Sequence, residues 1–526
     1  MREASAALIL FVLVASLRFL SLTGFPDDHY VHLAGAQQML HGEWPSRDFV
    51  DLGAPLTYAI SAAAQAVFGP RQLTEALLMA AAFGLGAVLT LRAGVMLTGS
   101  IVFGLAAALV EVLVFPRSYG YPKIVLYSAA AVALLWYANR PSRPRIVCLA
   151  GLVALAALVR HDHGLYIGVA ALGAVALSPL PSDRFKGALS VAILAGTVLA
   201  FMLPYLVYLQ TVDGIVAHLQ RGMAFTALEV PRQRLTITGL LPYAAWLLAA
   251  TCLAPVAALV SIAIQVFARR EDAWSTVRRV APIAILALVA DAGLIRDRLD
   301  VRLPDAIVAP ALLLAWLVHQ AWKPPPSPVW LAVRTLGVAV LLVTMRYAAV
   351  MGSVVEQLDR TGIFAGIDRI PGRASTLVRD MERPWAGRLV PSAVAGEMRP
   401  FFDYVERCVP NDQRLLVAAW LPEVAVLAQR PFAGGQLWFM PGALKTKADH
   451  ERVMRRLDRQ RVPVAVFRRP AYDELAIEFP ELDAYIRRFT ESARWSLGDG
   501  DEVVLLMDTT QSTSTDAKTG WPCFSR

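Results

Sequence analysis

Asp27 and Asp28 stand side by side in the stretch Gly24–Tyr58, GFPDDHYVHLAGAQQMLHGEWPSRDFVDLGAPLTY, and Asp48 and Asp51 follow beside Arg47. Two adjacent carboxylates repel one another, which raises the pKa of one toward a value useful in a general base. In a partly dry cavity such a base takes a proton from a bound hydroxyl. A plainer use is also open, because Asp ahead of an apolar-periodic run commonly caps a helix. The two uses can fall to different members of the pair.

Three cations are placed to complement such a base. Arg117, Lys123 and Arg160 each sit at the end of an apolar run, where they could hold a phosphate or merely reach for the membrane boundary. His161-Asp162-His163, and Asp28 with His32 one helical turn on, are candidate ligands for a divalent metal, although a polar loop with helix-end hydrogen bonds explains them as well. Neither G-x-x-x-x-G-K-[ST] nor a G-x-G-x-x-G between strand and helix occurs, which argues against nucleotide hydrolysis as a power source.

The elements that must position these groups are apolar. Of 526 residues, 56% are hydrophobic and only 17% charged, which rejects a soluble globular class. Apolar runs of about 17–25 residues, each long enough to cross a bilayer as a helix, recur through the first two-thirds. They fall at Ala4–Leu22 and at about 72–95, 98–115, 123–138, 145–160, 164–179, 187–208, 239–267, 280–295, 304–321 and 328–351. The fold expected is a polytopic α-helical membrane protein of about 11 transmembrane helices. Ala4–Leu22 reads as an uncleaved first span rather than a signal peptide. Pro55–Phe68 is short for a crossing and stops at Gly69-Pro70, so it is expected to lie at the interface.

The formal charge of +8 requires no nucleic acid. With the amino terminus inside, the loops holding Arg92, Ala138–Arg145, Ser182–Lys186, Ala268–Arg279 and Lys323 are short and basic, as the positive-inside rule demands. The acidic loop (24–70), Arg117–Lys123, Arg160–Gly164, Gln210–Thr238 and Arg296–Asp305 then face outward. So does everything after Met351.

That tail, 353–526, is polar and reads as an outward, periplasmic α/β domain distinct from the membrane domain 1–352. Strands are expected at Arg414–Trp420, Pro463–Phe467 and Glu502–Asp508, with helices at Pro422–Gln429, His450–Gln460 and Pro480–Phe489. The last dozen Ser- and Thr-rich residues are expected to be disordered. Cys148 and Cys252 lie in apolar runs as small buried hydrophobes. Cys408 and Cys523 could pair in an oxidising compartment, which spacing alone does not decide.

In order along the chain stand Asp27-Asp28, Leu40 and Gly42, Pro45-Ser46-Arg47-Asp48-Phe49 and Pro55-Leu56-Thr57-Tyr58. This order resembles the first outer loop of the GT-C superfamily of integral-membrane glycosyltransferases, which includes protein O-mannosyltransferases, lipid A aminoarabinose transferases and many bacterial relatives. The resemblance implies an inverting sugar transfer from a polyprenyl-phosphate donor to a glycan, lipid or protein acceptor on the periplasmic side of a bacterial inner membrane. It implies Asp27 or Asp28 as the base, with Asp28 slightly preferred. Arg47, Asp48, Tyr58, Arg117, Lys123, Arg160 and Asp162 become candidate substrate contacts, Lys123 foremost for the phosphate. The chain departs from the pattern in carrying Asp as the second acid and no carboxylate in Tyr119–Tyr127. No cofactor is implied with certainty, and a divalent metal remains open. A lipid-linked sugar transporter, or a non-catalytic component of envelope assembly, are the rival readings. The first calls for ionisable residues near mid-membrane and weak symmetry between halves. The spans contain Glu111, with Arg18, Asp291 and Arg346 nearer the outer ends, and no matching halves.

Overall fold

Leu-, Ala- and Val-rich runs become helices in the computed structural model, because a chain in an apolar medium must satisfy its backbone internally. The structure describes residues 2–525 except 52, 182–186, 213, 230–239, 297–298, 324, 326, 383–395, 419, 438, 441, 443, 445 and 497–500. The basic loop Ser182–Lys186 therefore lies outside the described residues, as does part of Gln210–Thr238 and of Arg296–Asp305. Two compact units divide the chain. The first comprises Met1–Ser21, Met79–Tyr208 and Glu229–Ile370, and the second Leu22–Leu78, Leu209–Leu228 and Pro371–Arg526. They do not follow the expected linear division at 352/353, since the acidic loop folds with the tail.

The helices are α1 (Arg2–Leu20), α2 (Asp27–Leu40), α3 (Pro55–Phe68), α4 (Gln72–Thr98), α5 (Ile101–Leu113), α6 (Tyr121–Asn139), α7 (Arg143–Val159), α8 (His161–Leu177), α9 (Ala188–Val212), α10 (Ile215–Glu229), α11 (Pro242–Phe267), α12 (Ala273–Asp291), α13 (Leu299–Ala306), α14 (Val308–Gln320) and α15 (Pro328–Met351). Among the described residues, 6 helices are long and apolar enough to cross a membrane: α1, α4, α6 with the turn before it, α9, α11 and α15. The other expected crossings coincide with α5, α7, α8, α12 and α14, which are shorter or less apolar.

In the first unit small residues set the helix spacing. A Cβ on Gly94 of α4 would lie 2.6 Å from Gly104 Cα of α5, and one on Gly164 of α8 would lie 2.5 Å from Ala157 of α7. Backbones that close pack without any hydrophobic drive between helices. Arg18, buried in α1, lies between the rings of Phe83 (3.7 Å) and Phe115 (4.0 Å) and donates to the Pro116 carbonyl. Cys148, expected to be buried, is exposed on α7, and Cys252 is intermediate on α11.

The second unit is built on a four-stranded sheet, β1 (Leu415–Ala418), β2 (Val464–Arg469), β3 (Thr490–Ser496) and β4 (Glu502–Met507), in the order β1-β2-β4-β3. β1 runs parallel to β2, and the β2–β4 and β4–β3 pairs are antiparallel. α16 (Pro422–Ala428), α17 (Lys447–Leu457), α18 (Ala471–Glu478) and α19 (Pro480–Ile486) accompany it, over a core that includes Phe439, Phe467, Tyr472 and Phe479. The acidic loop is fastened to this domain. Val50 N donates to the Gly435 carbonyl at 3.0 Å. The buried Gln38 amide donates to the Phe432 carbonyl and accepts from its N–H, each at 3.3 Å, besides donating to Glu43 Oε2 at 2.7 Å.

The carboxy-terminal residues, expected to be disordered, instead form a hairpin of β5 (Ser512–Thr515) and β6 (Pro522–Phe524). The Cys408–Cys523 disulfide and a pair between Arg407 Nη2 and Asp516 Oδ2 at 2.8 Å tie it down. Composition misled here because the order comes from long-range partners: these two cross-links, the buried Phe524, and Trp521 against Tyr404 and Trp495.

Candidate functional site

Helix α2 starts at Pro26 (φ −73°, ψ 163°), whose extended backbone and missing N–H suit a helix entrance, and Asp27 and Asp28 occupy its first turn. No side chain caps this helix, so the acids act there through charge alone, favoured by the positive end of the helix dipole. The two differ. Asp27 is exposed and its Oδ2 accepts a hydrogen bond from Trp420 Nε1 at 3.2 Å. Asp28 is half-buried and has no hydrogen-bond or ion-pair partner among the described residues.

Behind the acids lies a buried polar frame that sequence reading missed. His29 Nε2 is 2.9 Å from Glu75 Oε1, Ser61 Oγ donates to Glu75 Oε2 at 2.6 Å, and Gln65 Nε2 donates to Ser61 at 3.0 Å. Gln72 Nε2 donates to the Tyr30 hydroxyl at 2.7 Å. His29, Ser61 and Glu75 are each 1% exposed, and their bonds lock the start of α2 to α3 and to the first turn of α4. The available signals were a His directly after the acid pair and a lone Glu opening an apolar helix.

The turn after α2 uses most of its charges on itself. Asp48 accepts from Trp44 N and Arg47 Nε, both at 2.8 Å, and the Arg47 carbonyl accepts from Arg456 Nη2 at 2.8 Å. Asp51 is buried and its Oδ1 accepts from Gly53 N (2.8 Å) and Ala54 N (2.9 Å), which prepares the start of α3. Tyr58 is core: its ring meets Phe49 at 6.0 Å, and Gly35 makes room for it, since a Cβ there would fall 2.7 Å from the ring. Arg221, Arg452 and Arg456 line a small cavity with Ser46 and Asp51. Burial foremost, and then the nearby Arg452, lowers the pKa of Arg221 and of Arg456.

The first unit gathers a second set of charges. Lys123, expected as a phosphate contact, is 2.6 Å from Asp305 Oδ2, with both side chains under a tenth exposed. The missing carboxylate near Tyr119–Tyr127 is thus supplied from a residue 182 positions away. Arg160 Nε lies 3.0 Å from Asp162 Oδ1, and the Tyr127 hydroxyl lies 2.5 Å from His163 Nδ1. Arg117 reaches the Tyr119 hydroxyl at 3.4 Å. Structure therefore groups Lys123, Arg160 and Asp162 at one end of α6, α7 and α8, already paired. Glu111 is buried in α5 and accepts from Thr90, whose hydroxyl is 2.9 Å from Ser128. Among the described residues no three His, Cys, Asp or Glu side chains converge as metal ligands. Asp162 is turned to Arg160 and His163 to Tyr127.

Apolar helices, with an acidic loop fastened to a small α/β domain, are an arrangement shared in fold with a solved membrane protein. The likeness extends over the chain: the crystal structure of ArnT from Cupriavidus metallidurans bound to undecaprenyl phosphate superposes with a TM-score of 0.50, covering 99% of this chain and 98% of that one, at 14% identity. No protein-family model and no curated protein matches the chain.

Proposed function

We propose that this protein is an inverting membrane glycosyltransferase that takes a sugar from a polyprenyl-phosphate donor and passes it to an acceptor on the side of the membrane where the α2 loop lies. The observation that carries the reading is the Asp28 carboxylate. It stands half-buried on a rigid frame, at a helix amino terminus, without a partner among the described residues. A general base needs open lone pairs and a fixed position, and Asp27, which already accepts from Trp420, is the weaker candidate. The fold shared with a protein bound to undecaprenyl phosphate supports the donor class.

In the step proposed, Asp28 takes the acceptor O–H proton as that oxygen bonds to the sugar's anomeric carbon. The anomeric carbon–phosphate oxygen bond breaks, and the polyprenyl phosphate leaves with the bonding electrons. Lys123 and Arg160, grouped within the first unit, are proposed as contacts of a lipid phosphate. The remaining crossings at α5, α7, α8, α12 and α14, the outward tail and the periplasmic face of a bacterial inner membrane belong to the same proposal. The Cys408–Cys523 disulfide supports an oxidising compartment for the tail.

The test is polyprenyl phosphate release by the purified protein in nanodiscs, given a panel of polyprenyl-phosphate sugars and an envelope extract as acceptor. Release with one donor, lost in Asp28→Asn, is the expected result. If well-folded protein and a full range of acceptors give no release with any donor, the transport reading takes its place.

A further inference from the structure

A cavity of about 230 Å³ opens within the second unit, away from the start of α2. Five side-chain amides face it: Gln37 from α2, Gln65 from α3, Gln72 from α4, and Gln429 and Asn411 from the tail domain. Three of these amides are anchored through their nitrogens. Gln65 donates to Ser61 (3.0 Å), Gln72 to Tyr30 (2.7 Å) and Gln429 to the Pro70 carbonyl (3.2 Å). Their carbonyl oxygens are left as acceptors. Gln37 goes further, because its Oε1 is buried with no hydrogen-bond partner among the described residues. An unmet buried acceptor costs about 1–3 kcal/mol, which a ligand donor would recover.

The charges around the cavity select the kind of donor. No carboxylate lines it, so an ammonium group finds no counter-charge. Of its two arginines, Arg430 spends its N–H groups on the carbonyls of Val405, Val409, Ala428 and Gln429, while Arg71 is half exposed with one long bond to Glu382 at 3.5 Å. Burial, and then Arg414 and Arg430, lowers the pKa of His41 and favours its neutral form. An anion would meet mainly amide oxygens, with Arg71 as the cation nearest to hand. Leu33 and Val426 supply apolar wall, which matches the C–H faces of a ring that carries hydroxyls.

We propose that this cavity binds one neutral sugar residue, and that the residue belongs to a glycan acceptor. The second half rests on the transferase reading above, and the first does not. A helix rises 1.5 Å per residue, so Gln37 lies about 14 Å along α2 from Asp28. The subsite is therefore separate from the reacting hydroxyl and would grip the acceptor a few sugar units away from it.

The experiment is saturation-transfer NMR on the full-length protein in nanodiscs. The probes are methyl glycosides of neutral hexoses and of N-acetylhexosamine, set against glucuronate, glucosamine and a short-chain phospholipid. At least one neutral glycoside should bind, bind equally well to Asp28→Asn, and bind at least tenfold more weakly to Gln37→Met, which keeps the side chain's shape and removes its acceptor. Gln429→Met, at a surface position, gives a second variant should Gln37→Met fold poorly. In the transfer assay Gln37→Met should raise the acceptor KM about tenfold with kcat within twofold. The subsite is overturned if no neutral glycoside binds, if binding ignores both amide variants, or if the charged sugars or the phospholipid are preferred. Glycoside binding at Gln37 without any polyprenyl phosphate release would uphold the subsite and sink the transferase, whereas release without binding would do the reverse.

Discussion

The start of α2 and the charged end of α6, α7 and α8 hold the same ingredients in opposite states. At α6 to α8 the cations come with partners: Lys123 has Asp305 and Arg160 has Asp162. At α2 one acid is engaged by Trp420 and the other, Asp28, meets no partner among the described residues. The difference is physical. Lys123 and Asp305 are almost wholly buried, where an uncompensated charge costs several kcal/mol. Asp28 is half-buried on a helix amino terminus, where water and the helix dipole steady a lone carboxylate. A paired charge is held by its partner, whereas a lone one keeps its lone pairs open, and the proposed division of roles rests on that contrast.

The sharpest way to break that contrast is at the acids. Asp28→Asn should lower donor-dependent polyprenyl phosphate release by about 10²–10⁴-fold, the usual worth of a general base, with unchanged expression and thermal unfolding. Asp27→Asn should cost less than about tenfold by the same reckoning. Equal losses from both variants would erase the distinction drawn from Trp420. Next in size, Lys123→Met strands Asp305 in the interior and should destabilise the protein by about 3–5 kcal/mol. Lys123→Met with Asp305→Leu should recover most of that stability in a denaturant or thermal series. If the double variant regains stability without regaining turnover, Lys123 serves the substrate as well as the fold. If it regains both, the pair is structural only.

A smaller effect tests the frame under the base. Gly35→Ala places a methyl 2.7 Å from the Tyr58 ring and should cost about 1–3 kcal/mol of overpacking. Because α2 carries both Gly35 and Asp28, turnover should fall with the loss of position, while donor affinity changes little. Unfolding at the parent's temperature would show that the ring moves aside and that α2 is less rigidly held than its contacts indicate.

Legibility followed locality. The bounds of α3 could be read outright, because Pro55 suits a first helical residue and Gly69-Pro70 must end it. β1, β2 and β4 were visible as short apolar runs, since β2 and β4 lie inside the sheet and β1, though it ends the order, is buried along its whole length and bridged by Phe432 and Phe439. β3 was not. Its sequence TESARWS is exposed to half-buried along its whole length, as an edge strand permits, and gives no alternation to detect. The acid pair was legible as chemistry, but nothing local told Asp27 from Asp28, because Trp420 is 393 positions away. The Lys123–Asp305 pair and the His29–Glu75 frame were hidden for the same reason, as each partner reads alone as a helix-end charge. The closing hairpin was lost to its composition, with Cys523 and Asp516 as its only signs.

That hairpin gives the smallest and cleanest of the charge tests. Arg407 donates to both oxygens of Asp516, at 3.2 and 2.8 Å, and these bonds, with lesser help from Thr519, hold the Asp516 pKa down from 3.8 to about 2. The unfolded segment therefore takes up its proton first as the pH falls. Stability from the pair is complete above about pH 4 and is lost as the pH drops toward 2. Arg407 is a third exposed, so solvent screening limits the pair to about 0–1 kcal/mol. Hydrogen exchange in Ser512–Phe524 should accelerate modestly between pH 5 and pH 2.5, after correction for the intrinsic pH dependence of exchange. In Arg407→Gln the exchange should already be faster at pH 5 and should change less on acidification. An identical acid response in both proteins would assign the hairpin's order to the Cys408–Cys523 bond and the aromatic contacts instead. It would also show that a paired surface charge, unlike the buried pair at Lys123, stores almost nothing.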